Sequence, residues 1–369
     1  MRGYAVLMII CFFMISLIHP SVGQAKPGVS ANNAVLMEQS SGRVLYNKQA
    51  HKQRPIASIT KIMTAIIAVE SGKLNETVTI SERAEQAIGS SIYLEKGENI
   101  KLKDLVYGLM LRSGNDAAVA ISEHIGGSVE GFVYLMNKKA EWLGMTNTVF
   151  DNPHGLDADN HYSTAYDMAL LMSYAMDNDI FRKVAGTKVY KAENGDYVWR
   201  NKHKLVTSLY SHTTGGKTGY TSTAGRTLMT AAEKDGMELI AVTLDAPDDW
   251  QDHIGLFEWG FETYDMTTIA EKGENRYDIK DTDHQIVGYL HHNITIPLRE
   301  KEQNAIDKQS FIRQESKYPN GQTIGKTIFF ARSLPIAETP IYAERRQPAS
   351  FVNTIVTVYK QMMGLDTYG

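Results

Sequence analysis

The only cysteine of the chain, Cys11, lies inside an apolar run at the N-terminus, and that placement constrains the fold more than any other single feature. Arg2 precedes the run from Ala5 to Ile18, and the small-residue end Val22-Gly23-Gln24-Ala25 follows it, the pattern of a cleavable secretory signal. The run is about 14 residues long, short of the roughly 20 that a membrane-spanning helix needs. With residues 1–25 set aside as signal, an exported chain starting near Lys26 has no disulfide, no thiol nucleophile and no thiolate metal site. At 43% hydrophobic and 22% charged residues the composition is that of an ordinary globular protein. A length of 369 residues exceeds one compact core and predicts two domains.

Ala34-Val35-Leu36-Met37 and Val44-Leu45-Tyr46 flank Ser41-Gly42 and read as a β-hairpin. From Ser58 to Ser71, apolar residues at Ile59, Ile62, Met63, Ile66, Ile67 and Val69 keep helical spacing, with Gly72 as a stop. Ser58 is thereby expected at the N-terminus of a buried helix. Residues 103–111 and 116–125 read as two helices separated by Arg112-Ser113-Gly114-Asn115, and Thr164 with Asp167 opens another through a capping-box pattern. Helices and strands alternate poorly, so a doubly wound parallel sheet is not indicated. Residues 227–232 and 239–244 around Asp235-Gly236 form a second hairpin, and the sheet of this α+β domain takes strands from both of its ends.

From about Lys272 short β-like runs recur at 286–290, 294–298, 323–330 and 336–343, with Asn320-Gly321 as a turn. They predict a small all-β domain over 271–349, following a first domain over 26–270. In the tail, 350–369, Phe351, Val352, Ile355, Val356, Tyr359, Met362 and Met363 share one helical face. Such a helix is too short to cross a bilayer, and it suits either a membrane surface or the protein's own surface.

Formal net charge is −4 at pH 7, which gives no electrostatic reason to expect a polyanionic partner, and nucleic-acid binding is disfavoured. Three short motifs stand in order: Ser58-Ile59-Thr60-Lys61, Ser113-Gly114-Asn115 and Lys217-Thr218-Gly219. Their types and order match the S-x-x-K, S-x-N and K-T-G set of active-site serine enzymes that react with penicillins. Singly, each suits a bland role: a helix cap, turn residues, a solvated turn. Together, in order and on an exported chain, they point to chemistry. A second S-x-N, Ser30-Ala31-Asn32, stands out of order.

Positions i and i+3 share a helix face, so Lys61 Nζ can reach Ser58 Oγ. A hydroxyl is a poor nucleophile until a base takes its proton, and a lysine serves only when neutral. Bringing its pKa from about 10.4 to about 7–8 takes about 4 kcal/mol of differential destabilisation of the ammonium. Burial among Ile59, Ile62 and Met63 and the neighbouring cation Lys217 would supply it. Ser113 then relays the proton to a leaving amine, and Asn115 offers its amide to the substrate backbone. Lys217-Thr218-Gly219, after Gly215-Gly216, reads as an edge strand for an extended peptide. The N–H groups of Ser58 and Tyr220 form an oxyanion hole, in which one donor is typically worth about 2.7–4 kcal/mol.

With these motifs, the chain resembles the low-molecular-mass penicillin-binding proteins of the D-alanyl-D-alanine carboxypeptidase type, including the sporulation-associated members of endospore-forming bacteria. The stretches that carry the likeness are Arg54 to Ala65, Leu105 to Ala118, Asn152-Pro-His-Gly-Leu-Asp157, His161 to Asp167 and Thr214 to Tyr220. The resemblance is strong from about 30 to 270 and loose beyond. It implies a penicillin-binding, serine β-lactamase-like domain, with an antiparallel sheet between helices and a helical lobe, before a β-rich C-terminal domain. It implies removal of the terminal D-alanine from peptidoglycan stem pentapeptides through an acyl-enzyme on Ser58, with Lys61 as base, Ser113 as shuttle and Lys217 as substrate-binding cation. Covalent inhibition by β-lactams follows from the same likeness, as does a C-terminal amphipathic helix resting on the outer face of the membrane.

No metal or other cofactor is called for. His154, Asp157 and His161 are dense enough to suggest zinc, but no H-E-x-x-H accompanies them and the segment reads better as a structured loop. Arg226 suits a substrate carboxylate or a structural ion pair. A β-lactamase of the same architecture would need a water-activating base, commonly a Glu ahead of an Asn between the second and third motifs. No Glu-x-x-Leu-Asn stands between Asn115 and Lys217. A sensor that acylates without turnover is the remaining alternative.

Overall fold

The computed structural model describes residues 26–193, 197–278, 285–313 and 321–343; the expected signal and the apolar tail lie outside them. The first hairpin forms β1 (Asn33–Glu38) and β2 (Val44–Lys48) as read from the sequence. α1 (Lys61–Glu70) is buried from Lys61 to Val69, as an all-round apolar helix must be. Just past its C-cap, Ser71, Gly72 turns the chain away at φ +72°, which suits a residue without a Cβ. A ribbon of β3 (Thr77–Thr79) and β4 (Asn99–Lys101) encloses the short α2 (Glu82–Glu85). Then come α3 (Leu102–Arg112), α4 (Asn115–Gly126), α5 (Val129–Trp142), α6 (Ala165–Met176) and α7 (Asp179–Gly186). A second ribbon, β5 (Val189–Lys191) with β6 (Val198–Arg200), leads to β7 (Thr213–Thr221), β8 (Gly225–Lys234) and β9 (Met237–Leu244).

The main sheet has the order β2-β1-β9-β8-β7, so its strands do come from both ends of the domain, and β7 is an edge. Neighbouring pairs are antiparallel. Successive side chains on a strand point to opposite faces, and β1 divides accordingly. Val35 and Met37 enter the core shared with α1 and α3–α7, whereas Ala34 and Leu36 enter the core beneath α8 (Asp249–Thr263). Both faces are covered by helices, which is why β1 is buried along its whole length.

β10 (Asp265–Ala270) follows, then β11 (Gly273–Asp278), β12 (Gln285–Leu290), β13 (Ile294–Leu298), α9 (Glu300–Gln303), β14 (Ile306–Ile312), β15 (Thr323–Ala331) and β16 (Leu334–Tyr342). They make a five-stranded sheet β11-β12-β16-β15-β14 and a pair β10-β13. Strand pairing here starts at Asp265, ahead of the expected start at 271, because β10 pairs with β13. Sequence reading found β12, β13, β15 and β16. β11 and β14 are polar edge strands without the apolar alternation that marks a strand. Arg43, in the β1–β2 turn, ties the two parts together by pairing with Glu302 at 2.9 Å and donating to the carbonyl of Pro297.

The capping box at α6 is half made. Thr164 Oγ1 accepts from Asp167 N–H at 3.0 Å, while the Asp167 carboxylate takes Asn147 N–H and the Thr148 hydroxyl instead of reaching back. Thr164→Ala should cost about 1 kcal/mol, seen as a fall of about 2–4 °C in the thermal midpoint.

Candidate active site

Ser58 does not open α1 directly. Ala57–Thr60 forms one 3₁₀ turn ahead of the helix, and in that tighter geometry residues i and i+3 eclipse. Ser58 and Lys61 therefore still meet, with Nζ 2.9 Å from Oγ. Lys61 is fully buried. Its amine has two other neighbours, Asn115 Oδ1 at 2.7 Å and the backbone carbonyl of His154. Both of those can only accept. The charged amine donates to all three oxygens; a neutral one has two N–H bonds and one lone pair, and with both N–H bonds committed to the accept-only oxygens its lone pair is left for the Ser58 hydroxyl. Burial, then the charges of Lys217 and Lys202, hold Lys61 well below its ordinary pKa, while Asp116 pulls the other way.

The α3–α4 junction places the second motif. Ser113 ends α3 in a left-handed conformation, φ +67°, and its Oγ accepts from Lys217 Nζ at 3.1 Å. Asn115 stands at the start of α4 and is buried. Its Oδ1 accepts from Lys61 Nζ at 2.7 Å and its Nδ2 donates to Ile88 O at 2.6 Å, contacts that orient the amide within the site. Asp116 accepts from the N–H groups of Ile92 and Leu94 and so fixes the neighbouring loop, whose Ser90 reaches the cleft.

Lys217 points inward from β7, nearly fully buried, and also donates to Thr218 O at 2.7 Å. Burial first, then Lys202, brings its pKa down to about 7. Two glycines allow the strand to lie this close. A Cβ on Gly219 would stand 2.8 Å from Ser58 N and 2.4 Å from Thr227 Oγ1; one on Gly216 would stand 2.4 Å from His203 Nε2. Thr227 Oγ1 donates to Ile56 O at 3.0 Å, so β8 holds the approach to the nucleophile's turn.

Ser58, Ser113, Thr218, Gly219 and Tyr220 line one cleft of about 590 Å³, with Lys61, Asn115 and Lys217 buried behind it. The eight residues singled out in the sequence thus come together. Ser90, Lys202, Lys204 and Trp250 line the same cleft and were missed, since no local pattern marks them. Arg226 lines it too, paired with the buried Asp249 at 2.7 Å and 5.9 Å from the Trp250 ring centre. The out-of-order Ser30 is structural: its hydroxyl donates to Asp252 at 2.7 Å.

The dense histidine loop is built as a wall. His154 Nδ1 accepts from Leu156 N–H, Asp157 accepts from the Thr221 hydroxyl, and His161 Nδ1 accepts from Asp151 N–H. Burial pushes the two imidazoles down to about 3 and about 4, so both are neutral near pH 7. Among the described residues no three His, Cys, Asp or Glu side chains converge on a metal position.

A family model described as D-alanyl-D-alanine carboxypeptidase, peptidase S11, matches residues 21–248. D-alanyl-D-alanine carboxypeptidase DacF of Bacillus subtilis is 33% identical over 351 residues, covering 90% of this chain and 89% of that protein. D-alanyl-D-alanine carboxypeptidase DacA of Haemophilus influenzae is 32% identical over 338 residues, 86% of this chain and 85% of its own. Penicillin binding protein 5 from Haemophilus influenzae superposes with a TM-score of 0.76 at 28% identity, over 88% of this chain and 99% of that structure.

The His154 carbonyl reaches Lys61 because Gly155 lets the loop close in. Its φ is +85°, and a Cβ there would stand 2.0 Å from Ala57 O. Gly155→Ala should cost more than about 1 kcal/mol, read as a lowered thermal midpoint.

Proposed function

The chain belongs to the peptidase S11 family of D-alanyl-D-alanine carboxypeptidases, and from that membership we propose how its own residues carry the reaction. The substrate is a peptidoglycan stem peptide ending in D-Ala-D-Ala, laid along the open edge of β7. Ser58 Oγ attacks the carbonyl carbon of the penultimate D-alanine while the Lys61 lone pair takes the hydroxyl proton. The oxyanion meets the N–H groups of Ser58 and Tyr220. As the C–N bond breaks, the proton passes through Ser113 Oγ to the leaving nitrogen, and D-alanine departs. Water then attacks the Ser58 ester, giving the shortened stem and restoring the hydroxyl. Lys217, Lys202, Lys204 and Arg226 give the leaving carboxylate a cationic end of the cleft.

The observation that carries this reading is the arrangement at Lys61. Lys61 Nζ lies 2.9 Å from Ser58 Oγ and against two oxygens that only accept, so a neutral amine that commits its two protons to those oxygens has its lone pair left for the Ser58 proton. A β-lactam, whose strained amide mimics the scissile bond, would acylate the same oxygen. The secretory signal expected over residues 1–25 supports export, so this chemistry belongs outside the cytoplasmic membrane. No helix among the described residues is long and apolar enough to cross a membrane.

Incubation with a fluorescent penicillin, followed by intact-mass analysis, should find one adduct on Ser58. Ser58→Ala should lose it while staying folded, and retained labelling would sink the assignment. Lys61→Ala should slow acylation by about 10²–10⁴-fold. Because the base works only when neutral, kcat/KM should rise as pH climbs through the lowered pKa of Lys61. Lys202 is one of the charges holding that pKa down, so Lys202→Gln should move the rising limb of the pH profile to higher pH. A limb that stays in place would show that Lys202 does not tune the base.

A further inference from the structure

Behind the nucleophile's turn runs a chain of hydrogen bonds that the reaction itself does not use. Ala57, immediately before Ser58, holds φ at +49°, a left-handed backbone that residues with a side chain seldom adopt. Its carbonyl accepts from Thr60 Oγ1 at 2.8 Å, and Thr60 Oγ1 lies 2.8 Å from His161 Nε2. The other imidazole nitrogen accepts from Asp151 N–H at 3.0 Å. That fixes the tautomer: Nδ1 is the acceptor, so Nε2 carries the proton and donates to Thr60, whose own proton goes to Ala57 O.

Donors and acceptors match along the whole relay, and its direction runs from the 151–161 segment into the turn. Thr60 is 0% and His161 3% exposed, so neither meets a substrate in the cleft. Phe150 packs against His161 in an edge-on geometry, with ring centres 5.9 Å apart. The same segment supplies the His154 carbonyl that takes a Lys61 proton. One stretch of chain therefore touches both reacting partners: through His154 it orients the base, and through His161 it braces the turn that carries the nucleophile.

We propose that Thr60 and His161 are positioning residues that lock the left-handed turn at Ala57 and so set the approach of Ser58 Oγ to the Lys61 amine. This rests on Ser58 and Lys61 acting as nucleophile and base, as above. A displacement of about 1 Å at a reacting atom is enough for about a 10²-fold loss of rate, and the relay controls movement on that scale.

The test uses the full chain and a peptide ending in D-Ala-D-Ala, with D-alanine release giving kcat and KM. The wild-type enzyme comes first; absence of turnover and of penicillin labelling there would remove the underlying reading, a failure distinct from that of the positioning claim. Thr60→Val keeps the shape and loses both hydrogen bonds, and is expected to lower kcat by about 10–100-fold with KM little changed. Thr60→Ser keeps the hydroxyl and should stay within about threefold of wild type. A folded Thr60→Val enzyme with wild-type kcat overturns the proposal, and so does a Thr60→Ser enzyme as slow as Thr60→Val. Should Thr60→Val not fold, His161→Phe takes its place, keeping a ring against Phe150 while breaking the relay. It is expected to lose kcat several-fold at unchanged KM, and wild-type kcat in that variant overturns the proposal equally.

Discussion

Two lysine side chains, Lys61 and Lys217, are buried close together without a carboxylate bonded to either. Removing an ammonium from water costs several kcal/mol unless it is paired, and a second one nearby raises that cost. Here the cost is lessened by a looser hold on the proton: burial lowers both pKa values, and each amine is held by neutral oxygens. For Lys217 the folded-state value of about 7 lies below the ordinary value of 10.5, so between these limits the unfolded chain binds more protons. Its burial therefore destabilises the fold most below about pH 7, and the penalty fades as pH rises toward 10.5. The large apolar core around α1 is what supports such a site.

Close backbone approach does much of the positioning. Gly155, Gly216 and Gly219 stand where a methyl group would overlap Ala57 O, His203 Nε2 and Ser58 N. At each of these points the missing side chain lets a strand or loop close against its neighbour. The His154 carbonyl at Lys61 and the Ile88 carbonyl at Asn115 are contacts of the same kind, in which the residue's type matters less than where its main chain runs.

That distinction explains what could be read from the sequence. Local patterns carried the three motifs, the buried α1, both hairpins of the main sheet and the four apolar strands of the C-terminal part. They also carried the Ser58–Lys61 pair, because i and i+3 meet in a 3₁₀ turn as they do in an α-helix. The left-handed Ala57, the turn that replaces the first helical residues, and the use of Asn115 within the site depend on partners far along the chain. Lys202 escaped notice because its effect on Lys61 crosses about 140 positions of sequence, and nothing near it announces a role. The polar strands β11 and β14 were missed for a different reason. As edges they need little apolar alternation, and periodicity is the signal on which strand reading relies.

β7 closes one side of a five-stranded sheet and leaves its outer backbone groups unpaired by any other strand of that sheet. Unpaired edges are a liability that proteins usually blunt. Here the edge stays open between the nucleophile's turn and the cleft, with glycine at two of its central positions and no bulky side chain to block an incoming chain at either. On the proposed reading the sheet is one strand short by construction, and the stem peptide is the strand it lacks. Catalysis then cuts the guest strand at its own end, so each turnover removes part of the pairing that held the guest in place, and release is built into the reaction.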